Sequence, residues 1–232
     1  MTKPSNGDIQ KLAQWDTPTI CNALEIVCPE RRGYGYTVDP FVCFDPSLGS
    51  MVGRARTATI RACQPQPGGY KGAGDRIAWY EYVADAEGPT IVVIQDMDPK
   101  PGVGAFWGEV HTHVHSGLGA AGVITNGSFR DIPDNKPGFQ LLGGVVTPSH
   151  AFVHLTAHNV PVTVKGMEVQ HDDIIHADQH GAVVVPDDMV VELPAAVDFM
   201  VRKEAVILDA AKRPDFNIDI LKAAIQDQGE IH

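Results

Sequence analysis

The sequence has no apolar run long enough to cross a bilayer; nothing in it approaches the roughly 20 consecutive apolar residues that a spanning helix requires. Its first residues, MTKPSNGDIQKLAQWD, hold no hydrophobic stretch of signal-peptide length, so the expected setting is the cytosol, away from membranes. Basic residues are few. The 18 Lys and Arg stand against 29 Asp and Glu, a formal net charge of −11, and Arg31-Arg32 is the only adjacent basic pair before the C-terminal region. A field of that sign repels a phosphate backbone, which sets nucleic acid aside as a partner. Cysteine is scarce too: Cys21, Cys28, Cys43 and Cys63 include no CxxC pair. Such spacings in a cytosolic protein read as free thiols rather than a zinc site or a disulfide framework. Repeats at solenoid or propeller periods and low-complexity segments are also missing.

What remains is an ordinary globular composition, and a length of 232 residues that one hydrophobic core can serve, so a single domain over residues 1–232 is expected. Residues 8–27 carry Ile9, Leu12, Trp15, Ile20, Ala23, Leu24 and Val27 at roughly helical spacing. Pro18 splits them into two short helices, with Thr17 the expected cap of the second. Residues 28–50, rich in Pro, Gly and aromatics, read as an ordered, insertion-like surface excursion. Short β-branched runs then follow at Gly53–Arg61, Thr90–Ile94, Gly122–Thr125, Gly144–Pro148, Val160–Val164, Asp173–Ala177 and Ala182–Val185, all read as strands. Ile77–Ala84 and Gly104–Leu118 read as helices. The tail from Pro194 to Gln228 reads as helical, with a stripe of Val197, Met200, Val201, Ala205 and Leu208 and a break at Pro214. Strands alternating with helices, then a run of strands, predict a layered α/β fold with a mixed sheet and a C-terminal helix.

The stretch richest in chemistry is Gly122-Val-Ile-Thr-Asn-Gly-Ser-Phe-Arg-Asp131. An apolar strand enters a glycine turn that ends in an adjacent Arg-Asp pair. Arginine offers a planar fork for a carboxylate or enolate, and aspartate offers hard oxygen ligands for Mg²⁺ or Mn²⁺. At the C-terminal end of a strand they would face the crevice where α/β sheets bind ligands. On spacing alone the pair fits a surface ion pair equally.

Beyond that stretch, Glu109 precedes Arg130-Asp131 by twenty intervening residues, 110–129. Three more segments stand out: Thr17-Pro-Thr-Ile-Cys-Asn-Ala-Leu24, Gly53-Arg-Ala-Arg-Thr-Ala-Thr-Ile-Arg61 and His176-Ala-Asp-Gln-His-Gly-Ala-Val-Val-Val-Pro186. In these motifs the chain resembles the family that includes 4-hydroxy-4-methyl-2-oxoglutarate aldolase and the regulator of ribonuclease activity A. That resemblance implies a β/β/α fold of the swivelling, phosphohistidine-domain type, assembled as a homotrimer or a hexamer. It implies a divalent cation, usually Mg²⁺, held partly through water by Asp131, with Glu109 as the other acidic residue of the signature. It implies that Arg130 contacts a small 2-oxo acid whose carboxylate sits on the backbone amides of Val110 and His111, a sensible place because the first N–H groups of a helix attract anions. The activity implied is that of a metal-dependent carbon–carbon lyase, cleaving a 4-hydroxy-2-oxo acid to pyruvate and a carbonyl product. Oxaloacetate decarboxylation passes through the same enolate.

The chain departs from the aldolase pattern at Glu109, where Asp is usual, and at Arg76, where an asparagine contacts substrate. Arg76 either selects a second carboxylate or is a solvated charge. His111 and His115 share a helix face at i,i+4 and are either a metal-binding pair or a polar face, and His111, near Glu109, is a candidate proton donor. His176, Asp178 and His180 read as turn chemistry. Glu204 resembles an acidic residue that reaches a neighbouring subunit's site in the aldolases; otherwise it is an exposed helix charge. Two rival functions stand beside the lyase. One is a non-catalytic regulator that binds a ribonuclease. The other is a methyltransferase, against which the absence of a glycine-rich nucleotide loop after the first strand counts.

Overall fold

The computed structural model describes residues 3–69 and 74–231. The chain begins with helices α1 (Asn6–Lys11) and α2 (Thr17–Val27), then strands β1 (Val42–Cys43) and β2 (Met51–Arg61). Helix α3 (Gly74–Ala84), β3 (Thr90–Asp96), β4 (Ala105–Trp107), α4 (Glu109–Gly117), β5 (Ala120–Thr125) and β6 (Ser128–Phe129) come after them. A run of strands is next: β7 (Gln140–Gly143), β8 (Val145–Val146), β9 (His154–His158), β10 (Val162–Val164), β11 (Met167–Val169), β12 (Ile174–Asp178) and β13 (Gly181–Val185). Helices α5 (Leu193–Ala211) and α6 (Ile218–Gly229) end the chain.

The sheet is organised around β2, whose β-branched and small residues are buried nearly throughout. One edge of β2 pairs in parallel with β3, and β3 with β5 and β5 with β7 continue in parallel. The other edge is divided: β12 takes Met51–Arg54 and β9 takes Ala58–Arg61, both antiparallel. Strand β13 extends one side and β1 the other, giving a mixed sheet in the order β1-β7-β5-β3-β2-β12-β13 with β9 beside β2. A hairpin of β10 and β11 covers part of one face, its turn made by Lys165 and Gly166, both at positive φ as a two-residue hairpin turn requires. A separate three-stranded parallel sheet joins β4, β6 and β8. Between these layers lie three apolar clusters: one under the β10–β11 hairpin, one where α1, α2 and α5 meet β12 and β13, and one enclosing Trp79, Trp107, Phe129 and Phe139. Layered mixed α/β architecture with C-terminal helices is therefore what the chain adopts.

Several local expectations are corrected. Asp16, not Thr17, caps α2, its carboxylate accepting from Thr19 N at 2.9 Å, so that Thr17 and Pro18 occupy the first turn. Thr17 is buried instead, its hydroxyl 3.0 Å from His176 Nδ1 and its N–H donating to Asp178 at 2.8 Å. His176 and Asp178 thus fasten α2 to the sheet, while His180 keeps to the turn, its N–H donating to Asp178 Oδ1 at 2.8 Å. Residues 104–108 are not helical: Ala105, Phe106 and Trp107 are buried in β4, and the helix starts only after Gly108. The strand expected at 144–148 shrinks to β8, because the buried pairing belongs to β7 just before it. Strand β9 is an addition to the expected set. The tail helix has a divided stripe, with Val197 buried while Val201 and Leu208 are more than half exposed. Segment 28–50 is ordered as expected, contributing the edge strand β1 and bonding to Ala182 and Lys165.

Arg56 is held in the core because every side of it is used. Only 3% exposed, it donates to the carbonyls of Tyr82 and Asp85 at the end of α3 and to Asp172 Oδ1 at 3.1 Å. A buried guanidinium is tolerated only when so satisfied. It ties α3 to β2. Replacing it (Arg56→Met) leaves those acceptors unpaired and should lower stability by about 2–3 kcal/mol. In hydrogen exchange the α3 amides should lose protection before those of β3; uniform protection across both elements would contradict this.

Candidate active site

The small sheet brings two distant segments to one end. Trp107 in β4 pairs in parallel with Phe129 in β6, and Arg130 N donates to Trp107 O at 3.0 Å. Because the strands run the same way, the residues after β4 lie beside the residues after β6. Gly108 and the start of α4 come after the first, Arg130 and Asp131 after the second. Asp131 has a left-handed backbone, φ 55°, which costs a non-glycine residue on the order of 1 kcal/mol. The turn is held by Asp134 N and Asn135 N, both donating to Asp131 O, and by Asn135 Nδ2 donating to Arg130 O at 2.8 Å. Thr112, fully buried in α4, bonds to Asn135 and accepts from Lys136 N, tying the turn to the helix.

Asp131 Oδ2 accepts from Glu109 N at 3.2 Å, so the carboxylate rests on the positive end of α4. A Cβ on Gly108 would come within 2.4 Å of that oxygen, so glycine is required for this approach. The Arg130 guanidinium lies 3.6 Å from the same carboxylate and donates to Pro148 O at 3.4 Å. Both side chains are about one-third exposed and both line a cavity of about 320 Å³. They are more than a surface ion pair.

Val110 and His111 border the same cavity, and as first-turn residues of α4 their N–H groups have no partner within the helix. Helix α3 supplies Arg76, Trp79 and Tyr80, and Phe106 comes from β4. The rest of the lining includes His150, Val153, His154 and Leu155, at and before β9. Arg76, Val110, His111, Arg130 and Asp131 are thus brought together, as the sequence suggested. The Glu109 side chain is not: it is exposed and outside the cavity lining, and its link to the site is its N–H. Glu204 is exposed on α5, which contributes nothing to this cavity. The wall residues after position 149 escape sequence reasoning; the alternation His154-Leu155-Thr156-Ala157-His158 is the faint strand signal that points to them.

The three histidines of α4 separate cleanly. His113 is exposed. His115 is fully buried, bonding through Nδ1 to His111 O at 2.7 Å and accepting from Trp79 Nε1 at 2.9 Å. Both ring nitrogens are used, so the metal-pair reading of His111 and His115 falls. Burial drives the His115 pKa down to about 3. Burial, reinforced by the charges of Arg76 and Arg130, drives His111 down to about 4. His111 is therefore neutral near pH 7 and carries no imidazolium proton to give. Its ring meets Phe106 edge-on at 4.3 Å. Among the described residues no group of three or more His, Cys, Asp or Glu is placed to hold a metal ion unaided. Asp131 is the one carboxylate among the described residues that lines the cavity, beside the imidazoles of His111, His150 and His154; a lone carboxylate suits a hard cation such as Mg²⁺ that keeps most of its water.

The family model described as RraA-like, Aldolase/RraA, matches residues 17–184. No curated relative matches the chain. The fold is similar to that of an uncharacterized protein from Pseudomonas syringae pv. tomato, with TM-score 0.73 at 20% identity over 97% of this chain and 96% of that one. It is similar to Streptomyces coelicolor RraAS2, described as an unusual member of the RNase ES inhibitor RraA protein family, with TM-score 0.68 at 22% identity over 92% of this chain and 100% of that one. A third likeness, TM-score 0.55 at 16% identity over 72% and 95% of the two chains, is to a Geobacillus kaustophilus protein described as an S-adenosylmethionine: 2-dimethylmenaquinone methyltransferase. At these identities the likenesses speak for the fold.

The depressed histidines set an acid limit. Both take up protons more readily unfolded, where the ordinary pKa of 6.5 applies, than folded, where the values are about 4 and about 3. Their contribution is intact above pH 6.5 and is lost progressively as the pH falls toward 4. Denaturant midpoints should therefore drop steadily from pH 6.5 to 4.5, and less steeply in His115→Phe. Imidazole NMR should find His111 still neutral at pH 5.5; a protonated ring there would contradict the assignment.

Proposed function

We propose that this chain, which belongs to the RraA-like family, is a carbon–carbon lyase that cleaves a 4-hydroxy-2-oxo acid to pyruvate and a carbonyl product, and that decarboxylates oxaloacetate through the same enolate. The observation that carries this reading is the convergence, on one cavity, of Arg130, Asp131 and the free first-turn amides of α4. The Val110 and His111 amides hold the substrate carboxylate at the positive end of the helix. Arg130 faces the 2-oxo oxygen, where negative charge gathers as the C3–C4 bond breaks or CO₂ leaves, and its attraction strengthens as that charge develops. Neutral His111 adds no charge of its own there. A divalent cation, Mg²⁺ or Mn²⁺, held by Asp131 and otherwise by water and substrate oxygens, would supply further positive charge to the same oxygens. Glu109 acts through Asp131, whose carboxylate its N–H positions.

The remaining parts of the reading are an assembly and a setting. Val201 and Leu208 on α5, with Phe216, Ile218 and Ile225 around α6, are exposed apolar side chains that a neighbouring subunit would cover, in a cytosolic trimer or hexamer of the swivelling β/β/α type. Light scattering should return three or six times the 25.0 kDa chain mass; a stable monomer at working concentration would contradict this.

Arg130 tests the chemistry. Removing a well-placed charged donor from an enclosed site costs about 3–4 kcal/mol, a rate loss of roughly a hundred- to thousandfold. Arg130→Ala, checked for fold and assembly, should lose that much kcat in pyruvate release, and Arg130→Lys should recover little because an ammonium lacks the two-pronged contact. Chelation with EDTA should abolish turnover, and Mg²⁺ or Mn²⁺ should restore it. A folded Arg130→Ala with near-normal kcat would overturn the reading and favour the family's non-catalytic role.

A further inference from the structure

The cavity has two chemically different walls, and the lyase reading uses only one. Arg130, Asp131 and the start of α4 handle the 2-oxo acid end. Apolar and aromatic side chains form another part of the lining: Trp79 is fully buried, Phe106 is only 9% exposed, and Tyr80, Val153 and Leu155 are partly buried, with Gln66, Arg76, His150 and His154 as the polar side chains among them. Three elements far apart in sequence build this wall, α3, β4 and the β9 region, and the first of them is anchored by two sets of polar contacts. Arg56 fixes the end of α3 through two carbonyls, and the Trp79 indole is locked to His115 at 2.9 Å. His111, between the two walls, adds an uncharged ring packed on Phe106.

From this we infer that the substrate's C4 substituent is a bulky apolar group, an aryl ring or a branched alkyl chain, and that the second product is the corresponding hydrophobic aldehyde or ketone. The inference rests on the lyase reading. The competing occupant is a second carboxylate, for which the cavity offers Arg76 and His150, both exposed. Magnitudes decide between them. An ion pair at an exposed cation gains at most about fivefold in affinity against water and salt, whereas burying a phenyl-sized apolar group gains roughly ten- to a hundredfold. Placing a charged carboxylate against Trp79, Phe106 and Leu155 would also strip its hydration, and those three side chains offer no free donor, the Trp79 indole already donating to His115. The aromatic and aliphatic side chains then take the ring.

The reaction balances without a further reactant. For 4-hydroxy-4-phenyl-2-oxobutanoate the C3–C4 bond breaks, its electron pair passes to C3 to form the pyruvate enolate, the 4-hydroxyl loses its proton, and C4 leaves as the carbonyl carbon of benzaldehyde. The enolate then takes up a proton to give pyruvate.

The test compares three substrates on the assembled, Mg²⁺-supplied protein: this phenyl compound, its 4-methyl counterpart 4-hydroxy-2-oxopentanoate, and a counterpart carrying a carboxymethyl group at C4, with oxaloacetate run alongside. The phenyl compound should exceed the methyl one in kcat/KM by roughly ten- to a hundredfold, the ratio that burial of the ring supplies. Leu155→Asp should bring that ratio toward one while lowering oxaloacetate turnover much less. Binding gives an independent readout. The unreactive 4-phenyl-2-oxobutanoate should perturb tryptophan fluorescence, from Trp79 behind the wall, at lower concentration than 2-oxobutanoate or 2-oxoglutarate. Preference for the carboxymethyl substrate, or tighter binding of 2-oxoglutarate, with oxaloacetate still turned over, would overturn the inference and leave the lyase reading standing. If oxaloacetate is decarboxylated but no aldol substrate is cleaved, the order of the three binding constants decides it. Inertness toward all four substrates would sink the lyase reading itself.

Discussion

The parallel pairing of Trp107 with Phe129 is a short piece of sheet, yet the site depends on it. Two strands running the same way deliver their following residues to the same end, so a helix start and an Arg-Asp turn separated by twenty residues become neighbours. An antiparallel arrangement would have sent them to opposite ends. Around this register the other features fall into place: the glycine at 108 that lets a carboxylate approach, the left-handed Asp131, and the Glu109 N–H that receives it. The helix dipole and the arginine then act on the same small volume, so negative charge placed there would be stabilised from two directions.

The second constraint is that α3 must stand opposite this end at a fixed distance. Helix α3 has few buried residues of its own, and its fixed position relies on Arg56 reaching from β2 to its last turn. The same helix carries Trp79, whose indole occupies the second nitrogen of His115. A histidine that looks like a ligand on a helical wheel is thereby a core residue, neutral and spent, while His111 one turn earlier keeps a position at the cavity. Burial, not sequence neighbours, separates the two.

Membership of the RraA-like family spans chains with different described roles, so the fold does not fix the chemistry. The distinction lies in the site. The lyase proposed above rests on that site, a cavity lined by an arginine, by aromatic side chains and by an aspartate held in a left-handed turn against a helix end.

The sequence alone determined the alternation of strands and helices, the free cysteines, the Arg130-Asp131 pair after a buried strand, and the acidic residue twenty intervening residues before that pair, because each is a local pattern of side-chain type and turn chemistry. Val110 and His111 came from the family resemblance, because the helix read from the sequence began at Gly104, and only the structure starts it at Glu109 and leaves their amides in the first turn. Tertiary structure decided the rest. Whether Asp16 or Thr17 caps α2 depended on His176 and Asp178, some 160 residues away, claiming Thr17. Whether residues 104–108 were strand or helix depended on Phe129 being available as a neighbour. That Trp79, Phe106 and Leu155 share one cavity left no trace in the sequence, because their three segments meet only when β9 joins β2 and α3 is drawn down by Arg56. Contacts at long sequence separation carry no local signature, and this part of the cavity is made of them.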